Sequence, residues 1–122
     1  MIGKTLAALG ALAIATLGGG AVLAPAAMTR GYGVPSDDPG ALEYVRAVGA
    51  RDIVLGAIIC AVLIRGDQRT LSATMLCCSL VGLADFLIVR NAQKDEAAPA
   101  VAIHTAGFAA CGVVALLVLQ EI

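Results

Sequence analysis

The feature that most limits what this chain can become is where its charges are missing. From Thr5 to Thr29 there is no Asp, Glu, Lys or Arg, and a second charge-free run extends from Ala97 to Gln120 and contains His104. A helix needs roughly 20 mostly apolar residues to cross a hydrocarbon core about 30 Å thick, and both runs are long enough. Two further candidates, Tyr44–Ile64 and Thr70–Val89, can span only if they carry charge into the membrane: Arg46, Arg51 and Asp52 in the first, Asp85 in the second. Ionisable residues inside spans are rare and usually face the bundle interior or a wet cavity. A function is therefore to be sought at those positions.

Composition agrees. The chain has 122 residues, 60% hydrophobic and 14% charged, whereas soluble domains carry about 25% charged residues. A domain this small keeps much of its surface outward and cannot hide that much apolar area. The same hydrophobicity excludes disorder, and a net charge of −1 argues against nucleic acid as a partner. The expected architecture is an all-α membrane protein, a four-transmembrane-helix antiparallel bundle. It forms a single transmembrane domain with spans at about 5–28, 44–64, 70–89 and 98–120. The rival is a cleavable signal peptide ending near Ala24-Pro25-Ala26, but the first apolar run exceeds the roughly 7–15 residues of a signal core.

Along the first span Ala7, Ala11, Ala15 and Gly19 form a small-residue stripe of the kind that lets helix backbones approach in lipid. That stripe is the expected contact for a homo-oligomer or accessory partner. Pro25 is expected to kink or end the helix. The segment Thr29–Glu43 is rich in turn formers and is expected to be a loop outside the membrane core, with Ser36-Asp37-Asp38 or Asp38-Pro39 starting a short helix into the second span. Arg65–Arg69 forms a tight turn and Asn91–Ala98 another, so neighbouring spans run antiparallel. Lys4, Arg65 and Arg69 on one face balance Arg30, Arg90 and Lys94 on the other, so the positive-inside rule gives little; the tight Arg65–Arg69 turn tips the expectation towards a cytoplasmic N-terminus.

Cys60, Cys77, Cys78 and Cys111 all fall within spans and match no redox or zinc spacing, so they are read as small apolar core residues, with no metal or other cofactor expected. Antiparallel topology has a sharper consequence. At 1.5 Å per residue, Arg51 and Asp52 lie about 10–12 Å inside one membrane face, Asp85 roughly 8 Å and His104 roughly 9 Å from the same face. Three helices thus deliver four ionisable residues to one depth. Each rides on small residues at helical spacing: Gly49, Asp52, Gly56 and Cys60; Cys78, Gly82 and Asp85; His104, Gly107 and Cys111. The plainer alternative is a clasp in which Asp85 pairs with Arg51 and sets helix register, while Arg46 and Arg90 snorkel to the interface.

Pro25, Met28 and Gly31-Tyr32-Gly33-Val34-Pro35, followed by Val48-Gly49-Ala50-Arg51-Asp52-Ile53-Val54-Leu55-Gly56, resemble the two signatures of the small membrane-protein family DUF4267. Leu83-Ala84-Asp85 in the third span and His104 in the fourth complete the pattern. The resemblance implies the four-span bundle and the polar cluster but brings no reaction with it.

Three functions from different classes follow. The first is an intramembrane enzyme or binding protein for a lipophilic small molecule, with isomerisation, cyclisation, hydration or epoxide opening as the acid/base chemistry. Asp85 and Asp52, in unlike surroundings, divide acid and base roles; His104 shuttles the proton; and Arg51 holds a developing oxyanion or orients Asp85. Tyr32, Tyr44 and Met28 are the candidate ligand-binding residues. The second is a proton-coupled small transporter, although the first span carries no acid. The third is a structural or accessory membrane subunit. Besides the ligand, membrane lipids are the expected partners.

Overall fold

The computed structural model describes residues 1–93 and 98–122. Five helices follow in chain order: α1 (Ile2–Leu23), α2 (Pro25–Tyr32), α3 (Pro39–Arg65), α4 (Gln68–Gln93) and α5 (Ala98–Gln120). All but α2 are long and apolar enough to cross a membrane, so the chain is an all-α, four-span antiparallel bundle. Of the turn expected between the last two spans, residues 94–97, Lys94 among them, lie outside the described residues.

The bundle is built as two tight pairs, α1 with α3 and α4 with α5, joined chiefly by α1 against α5. Glycine makes the first pair possible. A Cβ on Gly18 would stand 2.5 Å from the Gly49 carbonyl oxygen, and one on Gly49 would stand 2.6 Å from that of Gly18. Two turns further along α3, a Cβ on Gly56 would meet the Ala11 carbonyl oxygen at 2.8 Å. The two backbones are in direct contact, which in lipid replaces the missing hydrophobic force between helices. Ala7 and Ala11 are buried in the main core with Ile59, Leu71, Met75 and Val118. Most of the small-residue stripe is thus taken up inside the monomer, while a Cβ added at Gly19 would meet nothing within 4 Å.

The second pair uses hydroxyl groups. Ser72 Oγ donates to the Ala115 carbonyl at 2.8 Å, and Ser79 Oγ, two turns later, donates to the Phe108 carbonyl at 2.9 Å. Gly82 then lets the α5 backbone approach at Phe108. Serine hydroxyls with no water to turn to find partners across the helix interface.

Helix ends follow local chemistry. Asp38 caps α3 by accepting from the Ala41 N–H at 2.8 Å, with Pro39 as the first helical residue. Asp67 caps α4 through the Arg69 and Thr70 N–H groups. Glu121 Oε1 accepts from the Gly3 N–H at 2.8 Å and meets the Met1 ammonium at 2.6 Å, tying the end of α5 to the start of α1.

Two expectations are corrected. The first span stops at Leu23 instead of running to Met28: Pro25 opens a separate helix after Ala24 leaves the helical region at φ −136°. The expected loop from Thr29 to Glu43 shrinks, because α2 continues to Tyr32 and α3 already begins at Pro39, with no separate short helix before it.

The close approach of α1 and α3 predicts a sharp contrast. Gly49→Ala should destabilise the bundle by about 1–3 kcal/mol through overpacking, whereas Gly19→Ala should be neutral or slightly stabilising. Thermal unfolding in detergent, followed by circular dichroism, measures both; similar behaviour of the two variants would disprove the direct backbone contact.

Candidate functional site

The site is assembled by the short helix that interrupts the bundle plan. After Pro25 restarts the chain, α2 folds back across the end of the bundle and terminates at Gly33 in the left-handed region, φ 98°. Thr29 is buried and organises the turn: its hydroxyl donates to the Ala26 carbonyl at 2.9 Å and accepts from the Ser36 N–H at 3.3 Å. Gly33 packs so closely on α5 that a Cβ there would collide with that of Ala100 and stand 3.0 Å from Val89. Val89 and Ala100, with Tyr32, Val34 and Val101 around them, form a small second core that holds the segment in place.

That docking carries Tyr32 between α4 and α5. Its hydroxyl donates to Asp85 Oδ1 at 2.9 Å. Its backbone carbonyl lies 3.0 Å from His104 Nε2, and the two rings meet edge-on with centroids 4.6 Å apart. A carbonyl oxygen only accepts, so Nε2 carries the hydrogen in this contact and the lone pair of a neutral imidazole sits on Nδ1. Among the described residues nothing donates to Asp85 Oδ2, which leaves that oxygen open. The phenol of Tyr32 is pushed well above its ordinary value, first by burial and then by the Asp85 hydrogen bond and charge. It remains a hydrogen-bond donor across the working range of pH.

Arg51 and Asp52 form a second unit nearby. The Arg51 guanidinium donates to Asp52 Oδ1 through Nε at 3.0 Å and Nη2 at 2.9 Å, and the Asp52 side chain is the less exposed of the two, 25% against 49%. Both charges are felt at Tyr32, Arg51 lowering its phenol and Asp52 raising it.

The structure therefore brings together Tyr32, Asp85 and His104 and sets the Arg51–Asp52 pair alongside. It does not form the Arg51–Asp85 clasp: Arg51 is neutralised by its own neighbour in sequence, and Asp85 is held by Tyr32 instead. Of the other two candidate ligand-binding residues, Tyr44 is 78% exposed on α3, and Met28 packs against Gly20 of α1. Arg46 pairs with Glu43 on its own helix, and Arg90 lies over the Phe86 ring at 5.9 Å, both as interfacial side chains would. All four cysteines are free.

Two parts of this arrangement escaped sequence reasoning. Thr29 and Ser36 read as ordinary loop residues, and only Gly31, Gly33 and Pro35 between them mark a turn. Gly33 read as a loop glycine, and nothing local announces its contact with Ala100. Removing one hydroxyl tests the geometry. Tyr32→Phe keeps the ring stack on His104 and loses about 1 kcal/mol with the Asp85 bond. Amide exchange over residues 29–36 should then speed up roughly fivefold, with the α1–α3 amides unchanged. Unchanged exchange over 29–36 would mean that the bond does not hold the segment.

The model of a family described as a domain of unknown function (DUF4267) matches residues 11–118, a span that includes Tyr32, Arg51, Asp52, Asp85 and His104. No curated protein and no solved structure matches the chain.

Proposed function

We propose, for a chain that belongs to the DUF4267 family, that the Tyr32–Asp85–His104 node binds the polar end of a lipophilic small molecule and exchanges a proton with it. The observation that carries the proposal is the Tyr32–Asp85 hydrogen bond at 2.9 Å, which orients a carboxylate inside a membrane bundle while leaving Oδ2 open. An intramembrane acid that served only packing would be expected to have both oxygens satisfied, because an unmet polar group in hydrocarbon is costly.

The roles follow from the bonding. Asp85 takes a proton through Oδ2. Tyr32 holds the carboxylate in place by donating to Oδ1. His104 has committed Nε2–H to the Tyr32 carbonyl, so Nδ1 is its free basic atom and acts as the second proton carrier. Arg51, fixed through Nε and Nη2 to Asp52, has Nη1 left to face negative charge developing on the ligand. Asp52 is thereby a positioning residue for Arg51 and no longer a second acid. Proton-transfer chemistry such as isomerisation, cyclisation, hydration or epoxide opening fits this set.

A second reading, a structural latch in an accessory subunit, is favoured by one observation: Tyr32 bonds to both α4 and α5 and so ties the end of the bundle together. Two substitutions separate the readings. Asp85→Asn still accepts a hydrogen bond from Tyr32 but has no carboxylate; Tyr32→Phe breaks the bond but keeps the carboxylate. Native mass spectrometry of protein extracted gently from its own membrane should show an extra mass on the wild type and on Leu87→Ala, which trims an exposed side chain of α4. Asp85→Asn should lack it while keeping its helix content and unfolding temperature. Identical spectra for wild type and Asp85→Asn, with Tyr32→Phe the only destabilised variant, would refute the binding role in favour of the latch.

A further inference from the structure

A second feature stands apart from the polar node. Between the outer faces of α4 and α5 runs an open groove of about 500 Å³. Its walls are apolar, with Ala73 and Leu76 on α4 and Gly112 and Leu116 on α5, and Phe108 closes the inner end. The serines along it, Ser72 and Ser79, present no unmet donor, because both hydroxyls are spent on α5 carbonyls. Small side chains and one glycine make the depression, and a Cβ on Gly112 would meet only the Ser79 hydroxyl oxygen, at 3.4 Å.

The outer end is different. Arg69 lies there, in the first turn of α4, with no carboxylate within ion-pairing distance among the described residues. The one acid in the adjoining turn, Asp67, is turned into the helix start. It accepts from the Thr70 hydroxyl and from the Thr70 and Arg69 N–H groups, which hold its carboxyl below the ordinary carboxylate range. From Arg69 to Ser79 the groove extends about 15 Å along α4 at 1.5 Å per residue. That is half of a hydrocarbon core about 30 Å thick, or one leaflet.

The geometry points to a site for one anionic phospholipid, an acyl chain lying in the α4–α5 groove and the phosphate paired with Arg69. Length, apolar walls and a single cation at the interfacial end together match a lipid. A neighbouring helix would pack on the small residues but would gain nothing from a cation at one end, and the groove runs only about half the length of a span. The site is independent of the polar node, which lies beyond Gly82 towards the opposite end of α4.

The test uses the full chain, delipidated in a neutral detergent and titrated with phosphatidylglycerol or with phosphatidylcholine, with bound lipids counted by native mass spectrometry. One phosphatidylglycerol should be retained about fivefold more strongly than phosphatidylcholine, the preference expected from one interfacial arginine. Arg69→Gln should erase that preference. Gly112→Leu and Ala73→Leu fill the groove from opposite walls, so whichever keeps wild-type helix content should lose lipid of either kind. Equal retention of the two lipids by the wild type, a preference that survives Arg69→Gln, or full retention by a folded groove-filling variant would each overturn the site. So would disulfide-linked dimers of Leu116→Cys above the wild-type level, which would put a second copy of the chain in the groove.

Discussion

In hydrocarbon no hydrophobic force presses helix against helix, so a bundle of this size depends on how closely its backbones come together. Here that constraint is met at Gly18, Gly49 and Gly56, where any side chain would strike a carbonyl oxygen or backbone of the facing helix. The α1–α3 pair made in this way is one rigid wall. The α4–α5 pair, stitched by Ser72 and Ser79, is the other. The remaining architecture lies in how the two walls are joined. At one end that is done by apolar side chains such as Met75 and Val118, together with the Glu121 contact to the start of α1. At the other end it is done by α2.

The division explains why the polar chemistry sits where it does. At one end the interior between the helices is filled by Ile59, Leu71, Met75 and Val118, so nothing but apolar side chains meets there. At the opposite end the core is small, Val89 and Ala100 with their neighbours, and a folded-back segment supplies the missing contacts. A segment attached to α1 but hydrogen-bonded to α4 and α5 couples the two walls through one residue, Tyr32. The same residue therefore fixes the geometry of Asp85 and limits how freely that end can open. A ligand that displaced the Tyr32 hydroxyl from Asp85 would loosen the segment as it bound.

Much of this was legible beforehand. The two charge-free runs located the first and last spans and the two shorter apolar runs between them the other two, the short polar turns set their antiparallel order, and helix rise gathered Arg51, Asp52, Asp85 and His104 towards one end of the bundle. Each inference uses only helix rise and the thickness of a bilayer. Pro25 was readable as a break, and Asp38-Pro39 as a helix start. What could not be read was pairing. Helix periodicity says which residues share a face but not which residue of another helix they meet, so the sequence offered Arg51 with Asp85, whereas the structure pairs Arg51 with Asp52. Tyr44 and Tyr32 flank the second span's entry alike in sequence, yet one faces outward and the other reaches Asp85.

By itself, then, the sequence determined membership of the membrane class, the number and order of spans and the position of the ionisable residues along each helix. These depend on one-dimensional quantities: apolar run length, charge position and rise per residue. Only the tertiary structure decided that the small residues of α1 serve its own bundle, that α2 closes one end, and that Tyr32 stands between Asp85 and His104. Those outcomes depend on rotation of each helix about its axis and on contacts such as Gly33 against Ala100. Such contacts join residues far apart along the chain and leave no local trace in it.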